Sequence, residues 1–147
     1  MNKGLILDYK KPLDKPPYID EWVQFKNLKE MKEWFQAFLE TNNCDVATSN
    51  FPEIISFGHD LVLEHTAAES IRPIGSPIFY SKFKEPTGLQ CAEWFTQWAD
   101  KHEVTPKRLC VHTENPMGQA RILDHLNNWK RSKGLSPDCF TFKWKFE

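Results

Sequence analysis

The sequence predicts an α/β fold in three layers, a doubly wound and mostly parallel sheet between helices. Three observations carry that prediction. Short apolar runs alternate with amphipathic segments in a β-α-β-α-β-α-β order. Three of the runs, Gly4-Leu5-Ile6-Leu7-Asp8-Tyr9, Glu53-Ile54-Ile55-Ser56-Phe57-Gly58-His59-Asp60 and Arg108-Leu109-Cys110-Val111-His112, end in polar residues. Strands that deliver side chains to the carboxyl edge of an open sheet end in this way. Asn115-Pro116 then opens an amphipathic segment close behind the third run, with Asn115 as N-cap and Pro116 at the first helical position.

The elements come in order along the chain. Residues 3–8 form the first strand. The stretch 10–17 holds Pro12, Pro16 and Pro17, which remove donors and fix the backbone, so it is a loop over the sheet's edge. Trp22-Val23-Gln24-Phe25 is the second strand, and Asn27 caps the helix behind it. Leu28, Met31, Trp34, Phe35, Phe38 and Leu39 recur at spacings of three and four, one face of an amphipathic helix over 28–40. The polar segment 41–52 is loop and the third strand covers 53–57. The interval from Leu61 to Thr87 is a long insertion, since most connections are about 4–6 residues. It is either a flap over the site or a decorated surface loop, with Ile78-Phe79-Tyr80 as a short strand within it. A helix over 88–101 turns Leu89, Ala92, Phe95 and Ala99 inward with Trp94 and Trp98 along one flank. A strand over 107–112 and a helix over 116–131 come next, the helix burying Met117, Ala120, Leu123 and Leu126. Phe140 to Phe146 alternates apolar and polar residues, a half-exposed last strand whose lysines protect an edge.

At 147 residues the chain is read as a single domain, residues 1–147. Such a chain buries about 68–70% of its unfolded surface and needs no staple. A net charge of −1 excludes the basic field of a protein that binds long nucleic acid, though a small anion remains a suitable ligand. The clusters Lys10, Lys11, Lys15 and Lys130, Arg131, Lys133 read as solvated faces. Cys44, Cys91, Cys110 and Cys139 show no CxxC spacing, and no secretory leader is seen, which fits a reduced, cytoplasmic chain. Cys91 and Cys110 read as small core residues. No apolar run approaches the roughly 20 residues that cross a bilayer, so no membrane is expected.

Asp8, His59, Asp60 and His112 would converge on one crevice at the strand tips. Two imidazoles facing one anion equip a site for phosphodiester chemistry. One takes the proton of the attacking hydroxyl or water while the other donates to the leaving oxygen. The backbone amides from Met117 to Gln119, with Thr113, would hold the phosphoryl oxygens without any lysine, and Lys11 would reach in from the first loop. Gly118 would let a ligand approach the backbone. Asp8 or Asp60 would fix a histidine's tautomer, and Glu114 must point away or orient His112. A metal site from Asp8, Asp60 and one histidine is weaker, because no local spacing is a metal motif. No cofactor is called for. Each feature also has a plain structural reading, Asn-Pro as a good helix start and His112 as a capped strand end. Glu64-His65-Thr66 echoes His112-Thr113 but lacks the intervening residue of the paired two-histidine phosphoesterase motif. His102 and His125 fall on helices as exposed or half-buried residues.

Four blocks in order, Leu7-Asp8-Tyr9-Lys10-Lys11-Pro12, Ile55-Ser56-Phe57-Gly58-His59-Asp60-Leu61, Thr87-Gly88 and Val111-His112-Thr113-Glu114-Asn115-Pro116-Met117-Gly118, resemble the cyclic-phosphate-processing receiver-like domain family over about residues 4–130. The resemblance implies a receiver-like, flavodoxin-like fold and a role in processing cyclic phosphates on RNA ends or nucleotides. It implies a site of Asp8, His59, Asp60, His112, Thr113 and Asn115, with Gly88 in the third block beside the ligand. The chain departs from the pattern where Tyr9 and Gly58 replace acids and Lys11 replaces arginine. Two lost carboxylates remove much of a cation site, and with it the phosphoacceptor role of a signalling receiver.

The leading expectation is therefore a phosphoesterase that processes a cyclic phosphate, a 2′,3′-cyclic end or a cyclic nucleotide signal, by histidine acid/base chemistry. A rival of the same shape binds a cyclic nucleotide or other phosphorylated ligand without turning it over, as a phage counter-defence protein would. A third reading is a protein-interaction module that uses exposed tryptophans and the 61–87 segment. The expected partner is a small phosphorylated ligand or an RNA end, with oligomeric state left open.

Overall fold

In the computed structural model, residues 3–8, 10, 19–41, 51–59, 61, 87–113 and 115–142 are described. They form β1 (Lys3–Leu7), β2 (Glu21–Phe25), α1 (Leu28–Thr41), β3 (Ile54–Phe57), α2 (Gly88–Lys101), β4 (Leu109–Val111), α3 (Pro116–Ser132) and β5 (Phe140–Thr141). The five strands make one sheet in the order β2-β1-β3-β4-β5, and every pairing is parallel. This is a receiver-like α/β arrangement, in which strand order reverses between β1 and β3. Leu5 faces Ile55 and Leu7 faces Phe57 across that switch point, and Phe57 faces Val111 across the next pair. The registers bring the carboxyl ends of β1, β3 and β4 level with one another.

Alternation along the strands sorts their side chains onto two faces. Leu5, Leu7, Ile55, Phe57, Leu109 and Val111 join the main core, and all three described helices bury their apolar faces in it. Phe35 on α1 is its centre, with ring centroids 4.6 Å from Trp98 and 5.6 Å from Phe95. The opposite face carries a smaller cluster of Ile19, Ile54 and Cys110 with Trp22 and Phe140 packed on it. Among the described residues, then, the helices form one layer. The link between β1 and β2, where a doubly wound sheet would place a helix on the second face, lies largely outside the described residues.

The expected elements agree with the observed ones to within about two residues, except that β5 is described only over Phe140–Thr141. The insertion at 62–86 with its short strand, the first loop at 11–18, most of the 41–52 loop, and the last residues from Lys143 lie outside the described residues. Two details of side-chain placement differ. On α3 the buried face is Gly118, Ile122, Leu126, Trp129 and Lys130, whereas Ala120 is exposed and Met117 and Leu123 are only partly covered. Steps of three fall about 60° short of a full turn each, so 117-120-123-126 spreads over half the helix, while 118-122-126-129 stays on one side. On α2, Trp98 is buried in the core beside Phe35 and Phe95 rather than lying along a flank.

Candidate functional site

The site is built from the ends of three strands. Asp8 comes directly after β1, and its backbone N–H donates to the Phe25 carbonyl at 2.9 Å while Gln24 Nε2 donates to the Asp8 carbonyl at 2.8 Å. The edge strand β2 thus holds the Asp8 backbone from one side. The carboxylate is tied twice, Oδ1 accepting from the Lys10 N–H at 2.8 Å and Oδ2 lying 2.9 Å from His112 Nε2. His112 comes directly after β4, and its other ring nitrogen, Nδ1, lies 2.6 Å from Ser56 Oγ on β3. Ser56, His112 and Asp8 therefore form a connected chain that crosses three neighbouring strands, with Ser56 at its buried end.

His59 lies two residues beyond β3 on the other side of the sheet. Its ring packs against the first turn of α3, where a Cβ on Gly118 would stand 2.3 Å from His59 Cγ. Its Nδ1 is 3.2 Å from Asn115 Nδ2, and Asn115 Oδ1 accepts from the Gly118 N–H at 3.0 Å. Asn115 is the N-cap of α3 and Pro116 opens the helix, as the residue pattern predicts. Thr113 turns its hydroxyl to accept from the Asn115 N–H at 3.1 Å. Thr87 caps α2 in a reciprocal box with Gln90, whose side chain accepts from the Thr87 N–H at 2.8 Å.

Several expected roles change on this geometry. The strand tips do bring Asp8, His59 and His112 to one end of the sheet, but among the hydrogen bonds between described residues the two imidazoles enter separate networks. Both rings are buried, His59 at 1% exposure and His112 at 2%, whereas the Asp8 side chain keeps 12%. Gly118 does not clear a path for a ligand, because the His59 ring fills the space a side chain would take. Gly88 serves contact between backbones, since a Cβ there would fall 1.6 Å from the Gly58 carbonyl oxygen. The α3 amides are largely committed, Gly118 N–H to the cap and Gln119 N–H to the Asn115 carbonyl at 2.9 Å. Met117, expected beside the ligand, is partly exposed on the first turn. Among the described tryptophans none is exposed, so their part in an interaction surface loses its premise. Asp60, Lys11, Glu114 and His65 lie outside the described residues. Among the described residues no group of three His, Cys, Asp or Glu side chains could hold a metal ion. No helix of the described residues is long and apolar enough to cross a membrane.

Ser56, Gln24 and Gly58 join the site without being expected there. Ser56 has a signal, as the one polar residue inside the apolar strand Ile54-Ile55-Ser56-Phe57. Gly58 has one too, in its departure from the family pattern. A Cβ there would lie 2.7 Å from the Leu7 carbonyl oxygen and 3.0 Å from both Asp8 Oδ2 and His112 Nε2. A side chain at 58 would thus press on the Asp8–His112 contact, and the glycine is what leaves that contact room. The chemistry the arrangement offers is a carboxylate that reaches the surface, with an imidazole and a hydroxyl ranked behind it.

A model of the cyclic-phosphate processing receiver domain matches residues 5–128 of the chain. No curated protein and no solved structure matches it.

Proposed function

We propose, for a chain that belongs to the cyclic-phosphate processing receiver domain family, that it opens a cyclic phosphate with Asp8 and His112 as a single acid/base dyad. The observation that carries this reading is the 2.9 Å contact between Asp8 Oδ2 and His112 Nε2 at the tips of β1 and β4, beside the switch point of the sheet. In hydrolysis a water oxygen bonds to phosphorus and one ring P–O bond breaks. The dyad takes one proton from that water and delivers one to the leaving oxygen, so protons balance. Asp8 is the member a ligand meets, and His112 supports its charge from behind. His59 is assigned to packing and to the α3 cap, not to proton transfer.

The test is incubation with 2′,3′-cyclic mononucleotides, cyclic-ended RNA and cyclic di- and oligonucleotides, with and without a chelator. Asp8→Asn keeps an acceptor for His112 and removes the charge, so turnover should fall by roughly 10²–10⁴-fold with little change in fold. His112→Ala should do the same, while His59→Ala should act through stability and leave turnover per folded molecule within a few-fold. Turnover that survives Asp8→Asn overturns the dyad.

A second reading is capture without turnover, favoured by the burial of both rings. Tight calorimetric binding of one of these ligands, recovered chemically unchanged, would select it. A phosphorylated ligand is the partner under either reading.

A further inference from the structure

We infer that Asp8 in front of one imidazole with Ser56 behind it, and Asn115 beside the other, hold both neutral rings with the proton on Nε2, Ser56 and Asn115 acting as positioning residues. His112 then turns its only N–H toward Asp8, and His59 turns its only N–H away from the helix cap. This deepens the reading of the site given above and rests on it for its catalytic consequence, though its observations stand apart from any activity.

For His112 the assignment starts at the carboxylate. An ionised carboxylate only accepts, so the 2.9 Å contact with Asp8 Oδ2 places the proton on Nε2. In a neutral imidazole Nδ1 is then an acceptor, and at 2.6 Å the Ser56 hydroxyl donates to it. A hydroxyl has one proton to give, so the remaining capacity of Ser56 Oγ is to accept. Cys110 is its register partner on β4 and is fully buried. Burial pushes the Cys110 thiol up to about 12, so a neutral thiol lies behind the strand here. The three groups thus point one way, from hydroxyl to imidazole to carboxylate.

For His59 the assignment starts at a backbone amide. The Gly118 N–H can only donate, which fixes the facing Asn115 atom as Oδ1 and settles which way round the side-chain amide lies. The amide nitrogen therefore faces His59 Nδ1 at 3.2 Å and donates, leaving Nδ1 without a proton. The opposite tautomer would set two N–H groups against each other in a buried place. The residue that starts α3 thereby also decides the tautomer of a histidine that comes from a different strand.

The decisive measurement is a long-range ¹H–¹⁵N correlation spectrum of the imidazoles in the full chain at alkaline pH, read without substrate. His59 and His112 should both show the Nε2–H pattern. Asn115→Asp keeps a good helix cap but replaces the donor by an acceptor, so His59 should switch to Nδ1–H while His112 stays as it was. Ser56→Ala should leave His112 mainly Nε2–H, because Asp8 still accepts from it, while its Nδ1 resonance shifts as that nitrogen loses its donor, and should leave His59 unchanged. A wild-type chain with either ring mainly as Nδ1–H overturns the inference, as does an Asn115→Asp chain whose His59 keeps its pattern. The wild-type spectrum alone decides the matter if a variant fails to fold. Because no substrate enters, absence of turnover leaves this result intact, and turnover with the wrong tautomers removes the positioning roles while sparing the dyad.

Discussion

His59 and His112 stand at the carboxyl ends of adjacent strands, two and one residues past apolar runs of similar look, yet the molecule treats them by different means. On the helix side, His59 is held by shape. Its ring lies where Gly118 has no side chain, on the face of the sheet that carries the core of Phe35, Phe57, Phe95 and Trp98. On the far side, His112 is held by direction, through bonds to Ser56 and Asp8. Packing tolerates little change of volume but is indifferent to which polar atom is present, whereas a hydrogen-bonded chain has the opposite sensitivity. Perturbations of volume should therefore unseat His59 and leave the His112 chain intact, and changes of a single polar atom at Ser56 or Asp8 should do the reverse.

The largest effect is expected at the centre of the packed side. Phe35→Ala removes a fully buried ring that touches Trp34, Trp94, Phe95 and Trp98, and should cost about 3–5 kcal/mol in denaturant unfolding. The comparison is broken if the residual folded fraction has also lost the Asp8–His112 contact, seen as an altered His112 imidazole spectrum.

A sharper test is a cycle at the first turn of α3. Gly118→Ala should cost about 1–3 kcal/mol, because its Cβ meets the His59 ring at 2.3 Å. In a His59→Ala background the same change should turn favourable by up to about 0.5–1 kcal/mol, since alanine suits a helix better than glycine once the ring has gone. A coupling near zero between the two sites would show that His59 is not held by shape.

What the residues alone reveal divides along the same line. The parallel order, the helices and the Asn115-Pro116 cap are legible, because periodicity, proline and capping residues are local signals that tertiary packing here reinforces. The gathering of Asp8, His59 and His112 at one end of the sheet is also legible, from where the apolar runs stop. Which faces they take is not. Gly58 and His59 lie past the end of β3, where strand alternation no longer dictates the face, and both histidines look alike until the register with β4 is known. Gly88 and Gly118 mislead for a related reason. A glycine near a motif shows that space is needed, and only the structure shows that a ring and a carbonyl of the same chain use it. Ser56 escapes notice because a lone serine in a strand becomes informative only when the register shows a histidine at the tip of the neighbouring strand.

The smallest expected effect lies at the other end of α3, where a polar bond rather than shape holds a buried side chain on the helix side. Lys130 is buried and its Nζ donates to Asp138, whose own side chain is 61% exposed. That bond holds the Asp138 carboxyl below the usual aspartate value, against a smaller opposing effect of burial. A group whose pKa is lowered on folding adds stability above its unfolded value, about 3.9, and loses it as pH falls through the lower folded value. The exposed carboxylate is screened by solvent, so the contribution should be a few tenths of a kcal/mol and no more than about 1. Asp100 is shifted the same way by its hydrogen bond to Lys133, so acid unfolding of the wild-type chain mixes the two. The difference between wild type and Asp138→Asn isolates one of them. Urea midpoints should differ by a constant amount from neutral pH down to about 4 and converge below it. A difference that persists at the lowest pH where the chain still folds would assign Lys130's burial to packing of its methylene stem, and would extend the rule of shape to the whole helix-covered side.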